Sequence, residues 1–523
     1  MTKPALHVLL QTALLLGPAY AQNIPVQEVV LDNGMKFLLV RRYGDPNVAA
    51  GWLAKVGSAN ERPGTTGISH LIEHMMFKGT HTMGTSNIQQ ELKLIKQIDE
   101  IKVEMRKEER LFGRLQRLGE TEGDMSKRSL YYQQLRSELL AMQKKEQDLL
   151  VPEELERTYM SAGAAQINAW TDWDSTVYYI NIPSSKLELW FWLESDRLAH
   201  PVFREFYAEQ AVVQEEHRWR TENTPLGKFE EQFEALFWQS SPYSWPIDGW
   251  TSDVKALHRE EARTFFELHY APVNLTACLV GDFDLIRVAE LARRYFGRLK
   301  PAARELEPVR TREIAQQAMA RMIACAETNP RVVIRYHTVP AGHKDEPALT
   351  ILSSILNGQT GRLYRSLVLQ QELASSVAAS HVGARYEGYF ELEVTPRPDK
   401  RPEEVEQAIY RELDNLQRVP IGDKELQRLK DLSSTSFYRS IQSDFSLMIG
   451  LLVAEAGPGW KHLGSFPGKV EAVTPTDVTQ AAMKYLSPQK GTVTVYYRKG
   501  SELRATGCCS SFPNICETQT TKW

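Results

Sequence analysis

A repeated order of predicted strands and helices is the feature of this 523-residue sequence that most constrains its fold. Alternating or continuous apolar runs predict strands, and apolar residues at spacings of three and four predict helices. The order strand-helix-strand-helix-helix-strand occurs before residue 300 and again after residue 319. This internal repetition predicts a fold of class α+β, with two related α/β-sandwich domains in one chain.

Segments on both sides of residue 300 carry the two copies of the pattern. The predicted strands include 166–170, 177–182, 275–280, 331–337, 389–395 and 492–497. The predicted helices include 185–198, 205–222, 285–296, 347–356, 402–417 and 423–440. A proline and a polar stretch near residue 301 are typical of a linker. We therefore predict a first domain over 22–300, a linker over 301–318, a second domain over 319–500 and a disordered tail over 501–523.

A charged segment over residues 88–157 interrupts the first domain. Its apolar residues recur at spacings of three, four and seven, and Lys, Arg, Glu and Gln fill the other positions. This pattern predicts an inserted helical hairpin, similar to a coiled coil. A solvated structural arm and a device that docks a partner both remain open interpretations.

The first 21 residues have the pattern of a secretory signal peptide. Lys3 precedes an apolar run over 6–16, and Ala19-Tyr-Ala21 is typical of a cleavage site. The apolar run is shorter than the ~20 residues that span a bilayer. No later stretch is long and apolar enough either, so we expect no membrane span. The predicted product is an exported protein, for which a bacterial periplasm fits best and secretion is the alternative.

Composition excludes some classes of protein. Lys and Arg total 62 against 66 Asp and Glu, a formal charge of −4. A nucleic-acid-binding protein normally carries a basic excess, so we expect no nucleic-acid partner. Five cysteines without paired spacing predict neither a disulfide framework nor a cysteine zinc site.

The pentapeptide His70-Leu-Ile-Glu-His74 carries the sharpest chemical signal and lies on a predicted helix. Residues four apart share one face of a helix, so two imidazoles can reach the same metal ion. Glu73 then lies beside the metal without being required as a ligand. This inverted H-x-x-E-H order is typical of one class of zinc hydrolases. The structural alternative is a chance match, with a histidine pair on a solvated helix face.

A catalytic zinc site needs a third protein ligand and one open position. Acidic candidates crowd the predicted helix that follows residue 205, and spacing alone does not choose among Glu205, Glu209, Glu215 and Glu216.

Several longer motifs in a fixed order resemble the pitrilysin/insulinase-like metallopeptidases, particularly the two-domain branch related to mitochondrial processing peptidase. They are Leu31-Asp-Asn-Gly34, Gly67-Ile-Ser-His-Leu-Ile-Glu-His-Met-Met-Phe-Lys-Gly-Thr80, Asn168-Ala-Trp-Thr171, Glu209-Gln-Ala-Val-Val-Gln-Glu-Glu-His-Arg218 and His269-Tyr-Ala-Pro-Val-Asn-Leu275. The resemblance covers nearly all of 25–500 except 88–157. It implies a zinc-dependent endopeptidase that holds one Zn²⁺ per chain and cuts extended peptides.

The resemblance also implies a role for each matching residue. His70, His74 and Glu216 match the zinc ligands, and Glu73 matches the general base. Glu209 matches a second acidic residue that supports the site. The run Asn168, Ala169 and Trp170 matches an edge strand that receives the peptide by β-strand addition.

Two departures from the family pattern bear on the function. The interval between His74 and Glu216 is unusually long, and the 88–157 insertion accounts for the excess. The second domain lacks a zinc motif, and it also lacks an Arg/Tyr pair that helps hold substrate in the family. Val368 and Ser375 occupy those positions.

We therefore expect the zinc-bearing subunit of a heterodimer, whose sister chain supplies the Arg/Tyr pair. A homodimer remains possible. The alternative function is a non-catalytic assembly or scaffold subunit on the same fold.

Overall fold

The computed structural model describes residues 24–121, 129–302 and 304–499. Two sheets, each packed against helices, form the body of the molecule. The predicted signal peptide 1–21 and the predicted tail 501–523 lie outside the described residues. None of the helices within the described ranges combines the length and the apolar character that a membrane crossing requires.

The first sheet contains six strands of the described chain in the order β1-β2-β6-β3-β5-β4. These strands are β1 (Gln27–Val30), β2 (Lys36–Arg41), β3 (Asn47–Ala54), β4 (Ala165–Thr171), β5 (Thr176–Pro183) and β6 (Leu275–Gly281). Strand β4 forms one edge of the sheet and pairs with β5 in antiparallel register. The predicted strands at 166–170, 177–182 and 275–280 are confirmed.

The first half of the chain contains the following helices, several of which pack on one face of this sheet. They are α1 (Ile68–Met75), α2 (Ile88–Arg117), α3 (Leu130–Gln147), α4 (Glu154–Ser161), α5 (Leu187–Ala199), α6 (Phe206–Thr221), α7 (Gly227–Phe237), α8 (Thr251–Ala256), α9 (Arg259–His269) and α10 (Leu285–Phe296). The largest apolar core joins α1, α5, α9 and α10 to the sheet.

The second sheet contains five strands of the described chain in the order β7-β11-β8-β10-β9. They are β7 (Ala320–Ala326), β8 (Arg331–Thr338), β9 (Ala374–Gly383), β10 (Gly388–Pro396) and β11 (Gly491–Arg498). Its helices are α11 (Glu346–Leu356), α12 (Pro402–Arg418), α13 (Asp423–Ser440), α14 (Asp444–Ala456), α15 (Lys461–Glu471) and α16 (Pro475–Tyr485). Repeated strand–helix order in the sequence thus corresponds to two α+β domains of related architecture.

The inserted segment is helical, as its spacing predicts. Helices α2 and α3 pack through a small core of Ile98, Met105, Leu135 and Leu139. At the base of this hairpin, buried Arg204 binds Glu91 (Nε–Oε1 2.7 Å). We call helices α2 and α3 the arm.

Each half also covers the other half's sheet with a helix. Leu38 and Val40 of β2 point away from the main core and pack with Leu451 and Leu452 of α14. Conversely, Phe233 of α7 packs against the second sheet, in a cluster with strand residues of β7, β8 and β11. This exchange explains why the central strands are apolar on both faces.

Candidate functional site

Helix α1 carries His70, Glu73 and His74 on the face that the four-residue spacing predicts. The two imidazole centroids are 4.9 Å apart, and the rings are perpendicular. His70 and Glu73 are buried. The helix therefore presents two ring nitrogens and a carboxylate to one small volume.

The start of α1 is fixed by a buried carboxyl group. Glu61 accepts hydrogen bonds from the backbone N–H groups of Gly67 and Ser69, both at 2.8 Å. An acceptor at a helix N-terminus satisfies N–H groups that lack an intrahelical partner. Gly67 has φ +86°, and a Cβ there would lie 2.4 Å from the carbonyl oxygen of Asp248. Glycine is therefore required at this turn.

Helix α6 brings the third acidic group to α1. Oε2 of Glu216 lies 3.8 Å from Nε2 of His70 and 3.5 Å from Nε2 of His74. One ligand atom from each of the three residues lies within 4.8 Å of the others. Within the described chain, this is the one group of three His, Cys, Asp or Glu residues with such spacing.

The other acidic candidates on this segment lie elsewhere. Glu215 is exposed and pairs with Arg218 (Oε1–Nη1 3.4 Å). Glu205 lies 3.5 Å from Nζ of Lys78. The structure thus separates Glu216 from its neighbours, a choice that sequence spacing alone left open.

Glu209 lies behind His74, on the side away from Glu216. Its Oε2 is 3.4 Å from Nδ1 of His74, and its other oxygen contacts Nζ of Lys78. A carboxylate on the second ring nitrogen fixes the tautomer and the orientation of an imidazole. Hydrogen bonds from His74 and Lys78 lower the pKa of Glu209 despite its burial. Sequence reasoning did not identify this lysine.

The charges of the two histidines differ in the absence of a metal. Burial, together with the neighbouring His74, lowers the pKa of His70 to about 4. Burial also disfavours a charge on His74, but hydrogen bonds to Glu209 and Glu216 raise its pKa to about 9. The hydrogen bond from His74 lowers the pKa of Glu216. Bound metal requires neutral imidazoles, so it would displace a proton from His74.

Glu73 lies beside the three clustered residues and has a hydrogen-bond partner of its own. Burial raises its pKa to about 6, although a hydrogen bond from Thr171 opposes this shift. Thr171 Oγ1 donates to Glu73 Oε2 at 2.6 Å and lies 3.3 Å from the hydroxyl of Thr176. A carboxylate with a pKa near neutrality can both accept and return a proton.

Strand β4 lies beside α1 and ends at Thr171. The predicted substrate-binding residues Asn168, Ala169 and Trp170 pair with β5 on one side only. Their register shifts between Ala165 and Asn168, where Gln166 has φ +54°. The free side of an edge strand offers unpaired N–H and C=O groups to an extended chain.

The two positions that correspond to the missing Arg/Tyr pair are Val368 and Ser375, and neither side chain can replace an arginine or a tyrosine. Val368 is buried in the short helical segment Tyr364–Gln370, and Ser375 lies on edge strand β9. Nearby Arg362 binds Glu425 (Nη2–Oε2 2.8 Å). These three side chains therefore offer no obvious substitute for the pair.

The donor set fits zinc. Two imidazole nitrogens and one carboxylate are the protein ligands of a known class of catalytic zinc site, which leaves a position open for water. Glu216 is 45% exposed in its side chain, so solvent reaches this position. A carboxylate beside an open metal position is the arrangement that hydrolysis requires.

Two family models match the chain. The model described as Insulinase (Peptidase family M16) matches residues 36–98, which include His70, Glu73 and His74. The model described as Peptidase M16 inactive domain matches residues 256–433.

Known proteins give the same assignment. Zinc protease PqqE of Helicobacter pylori is 24% identical over 424 residues, which cover 80% of each protein. A crystal structure of a protease from Helicobacter pylori has a TM-score of 0.72 and 22% identity, and covers 90% of this chain and 99% of that chain. The periplasmic protease PqqL from Escherichia coli has a TM-score of 0.67 and 16% identity, and covers 90% of this chain and 47% of that chain. The chain therefore contains domains of the M16 peptidase family, which is the insulinase/pitrilysin-like family.

Proposed function

We propose that this protein is a zinc-dependent endopeptidase that hydrolyses extended peptides or unstructured protein segments. The observation that carries the proposal is the convergence of His70, His74 and Glu216, with Glu73 beside them. The zinc protease names of relatives such as PqqE support the same class of activity.

Each residue of the site then has a role. His70, His74 and Glu216 would hold one Zn²⁺ per chain, and Glu209 would orient His74. Zinc bound there supplies Lewis acidity, which makes water a good nucleophile near pH 7 and polarises a carbonyl group. Glu73 takes the proton from the attacking water at a carboxylate oxygen and returns it to the leaving amine. Thr171 keeps this carboxylate in position.

Substrate would bind along β4. An extended peptide pairs with the free edge at Asn168, Ala169 and Trp170, which adds a strand to the first sheet. Because β4 ends at Thr171, beside Glu73, such a peptide would pass the proposed metal position. A segment whose backbone N–H and C=O groups are already paired, as in a helix, cannot add to this edge, so the geometry favours extended, unstructured substrates.

The proposed active form is a heterodimer in which this chain is the zinc-bearing subunit. The surroundings of Val368, Ser375 and Arg362 support a sister chain as the source of an Arg/Tyr pair. Such donors stabilise the developing oxyanion and are worth roughly 3–4 kcal/mol each. A homodimer is the simpler alternative.

A non-catalytic assembly subunit is the second candidate function. The match of residues 256–433 to a domain described as inactive favours it, as does the missing pair. The complete set of His70, Glu73, His74 and Glu216 favours the enzyme, because a scaffold has no need of these residues.

We also propose that the protein is exported, with the periplasm as its compartment. The signal-peptide pattern of residues 1–21 supports export. The structurally similar PqqL from Escherichia coli is a periplasmic protease, which is consistent with this location.

The direct test is cleavage of a mixed peptide pool by the purified chain alone, loaded with zinc, with Glu73→Gln as the background. Cleavage above that background establishes the peptidase and excludes the need for a sister chain. A chain that binds one zinc ion without cleaving supports the heterodimer, and activity should then return on mixing with the sister chain. Failure to bind zinc would favour the scaffold.

A further inference from the structure

The far end of the arm combines exposed apolar side chains with positive charge. We define the arm tip as residues 110–121 and 129–134. None of these described residues is buried. Leu118 is 59% exposed and Leu130 is 79% exposed, and Leu111 and Tyr131 are also exposed. Burial of apolar area stabilises folded proteins, so exposure of four large apolar residues at one end indicates a function outside the fold.

The tip lies well away from the body. Arg106 forms an ion pair with Glu261 of α9 (Nη2–Oε1 3.3 Å). From Arg106 to Leu118, α2 and its last turn advance roughly 18 Å at 1.5 Å per residue. Contacts from the hydroxyl of Tyr132 to Glu109 (2.8 Å) fix α3 alongside α2 at this end. The tip is therefore a projecting, ordered helix pair.

Positive charge surrounds the apolar side chains of the tip. The last turns of α2 within the tip carry Arg110, Arg114 and Arg117. Among the described residues of the tip, the acidic residue is Glu120. The remaining connecting residues, 122–128, contain two acidic and two basic residues, so the sign does not change. Leu111 and Leu118 are seven residues apart and thus share one helix face. The tip is basic although the whole chain has a charge of −4.

Charge and apolar character together favour a bilayer as the partner of the tip. Single apolar side chains can enter the boundary between headgroups and acyl chains by about 5–10 Å. Basic side chains beside them are attracted to anionic headgroups at the membrane surface. A helix pair that projects from the body can reach such a surface while the body stays in water.

We propose that the arm tip docks the protein on the surface of an anionic lipid bilayer. Leu111, Leu118, Leu130 and Tyr131 enter the interfacial layer, and the arginines contact lipid phosphates. Arginine suits this position because its aliphatic stem lies along apolar surface while the guanidinium stays among the headgroups. The peptidase body would then remain in water, with the arm as its attachment to the membrane.

Vesicle flotation tests the proposal. The chain should begin at Gln22, because the apolar run of residues 6–16 could itself bind lipid. We expect the protein to float with vesicles of phosphatidylglycerol and phosphatidylcholine, and to bind pure phosphatidylcholine vesicles at least about tenfold less tightly. Absence of binding to the anionic vesicles would overturn the proposal.

Variants locate the binding surface. The double change L118E/L130E should reduce binding to anionic vesicles at least about tenfold, because acidic groups oppose both insertion and charge attraction. The matched control is L432E/M483E, which places the same charges at residues of similar exposure on α13 and α16. Equal binding by both variants would contradict a role for the tip.

A second variant and a second measurement distinguish other occupants. R114E/R117E should remove the preference for anionic vesicles and leave the helical circular dichroism unchanged. Sedimentation of the unaltered chain tests a second copy as the occupant of the tip. Suppose that the unaltered chain forms a dimer, that L118E/L130E dissociates it, and that neither form binds lipid. The tip would then be a self-association surface, and the membrane proposal would be wrong. None of these outcomes depends on peptidase activity.

Discussion

The hydroxyl of Thr171 donates a hydrogen bond to the carboxylate of Glu73, with Oγ1 2.6 Å from Oε2. This bond connects the last residue of edge strand β4 to the proposed general base on α1. The strand that would bind substrate and the group that would move the proton therefore share one contact. The position of a peptide paired with β4 would therefore be fixed relative to the carboxylate of Glu73.

Thr171→Val should lower kcat about 10–100-fold with little change in KM, because a hydrogen bond to a charged group contributes about 1.5–3 kcal/mol. Valine keeps the branched shape that suits a strand, so pairing with β5 should persist. Steady-state kinetics on a peptide substrate measure the effect. Thr171→Ser retains the hydroxyl and should restore most of kcat. Equal losses in both variants would assign Thr171 a structural role only.

Glu209→Gln should weaken zinc binding by about 10–100-fold, the usual effect of removing a hydrogen-bond partner of a ligating histidine. The affected partner is His74, whose Nδ1 lies 3.4 Å from Glu209. Competition with a chromogenic chelator measures the affinity. Glu215→Gln makes the same chemical change on the same helix, at an exposed residue that pairs with Arg218, and should leave affinity unchanged.

Asp174→Asn should flatten the dependence of stability on pH. Burial raises the pKa of Asp174 to about 6, above the ~3.9 of an unfolded aspartate. The folded state thus holds this proton more tightly, so its contribution is complete below about pH 4 and is lost as the pH rises to about 6. The loss amounts to about 3 kcal/mol.

Denaturant unfolding at several pH values checks this prediction. Asp174 joins the halves, because it accepts hydrogen bonds from the hydroxyl of Tyr243 at 2.9 Å and from the backbone N–H of Arg385 at 2.8 Å. Asparagine keeps an acceptor at this position. The same substitution at exposed Asp399 serves for comparison. If the free energy of unfolding of Asp174→Asn depends on pH as steeply as that of the unaltered protein, Asp174 does not cause this dependence.

Gly51→Ala should destabilise the protein by about 1–3 kcal/mol through overpacking. A Cβ on Gly51 would lie 2.8 Å from the carbonyl oxygen of Tyr178 and 2.9 Å from Sδ of Met448. The second contact tests the position of α14 on the first sheet. Thermal unfolding provides the measurement. The control is Gly468→Ala on α15, where nothing lies within 4 Å of the new Cβ. It should not destabilise the protein, because alanine favours a helix over glycine by about 1 kcal/mol.

Local spacing predicted the part of the candidate site that lies on one helix. His70 and His74 share a face because they are four residues apart, and the structure brings both to Glu216. Their roles as ligands remain predictions. The contact of Thr171 with Glu73 joins a strand to a helix. The spacing of residues within one element cannot predict a contact between two elements. Family resemblance singled out Glu216, which spacing alone could not separate from Glu215.

The fold was predictable where apolar periods were strong. Strand β9 was not predicted, because Ala374–Gly383 consists mainly of small and polar residues. Antiparallel pairing with β10 stabilises this strand, although its own composition does not favour a strand. The crossing of α14 onto the first sheet was also not predictable, since an amphipathic helix does not specify which sheet covers its apolar face.

The exchange of α7 and α14 means that the smallest working unit is the whole body of the chain. A fragment that ends near residue 302 would lack α14 and would expose Leu38, Val40 and Leu53 to water. A fragment that begins near 319 would lack α7 and expose the second sheet in the same way. Neither half alone therefore keeps the outer face of its sheet covered. We expect a chain cut in the connection at 304–319 to remain assembled, because both of these apolar contacts would persist.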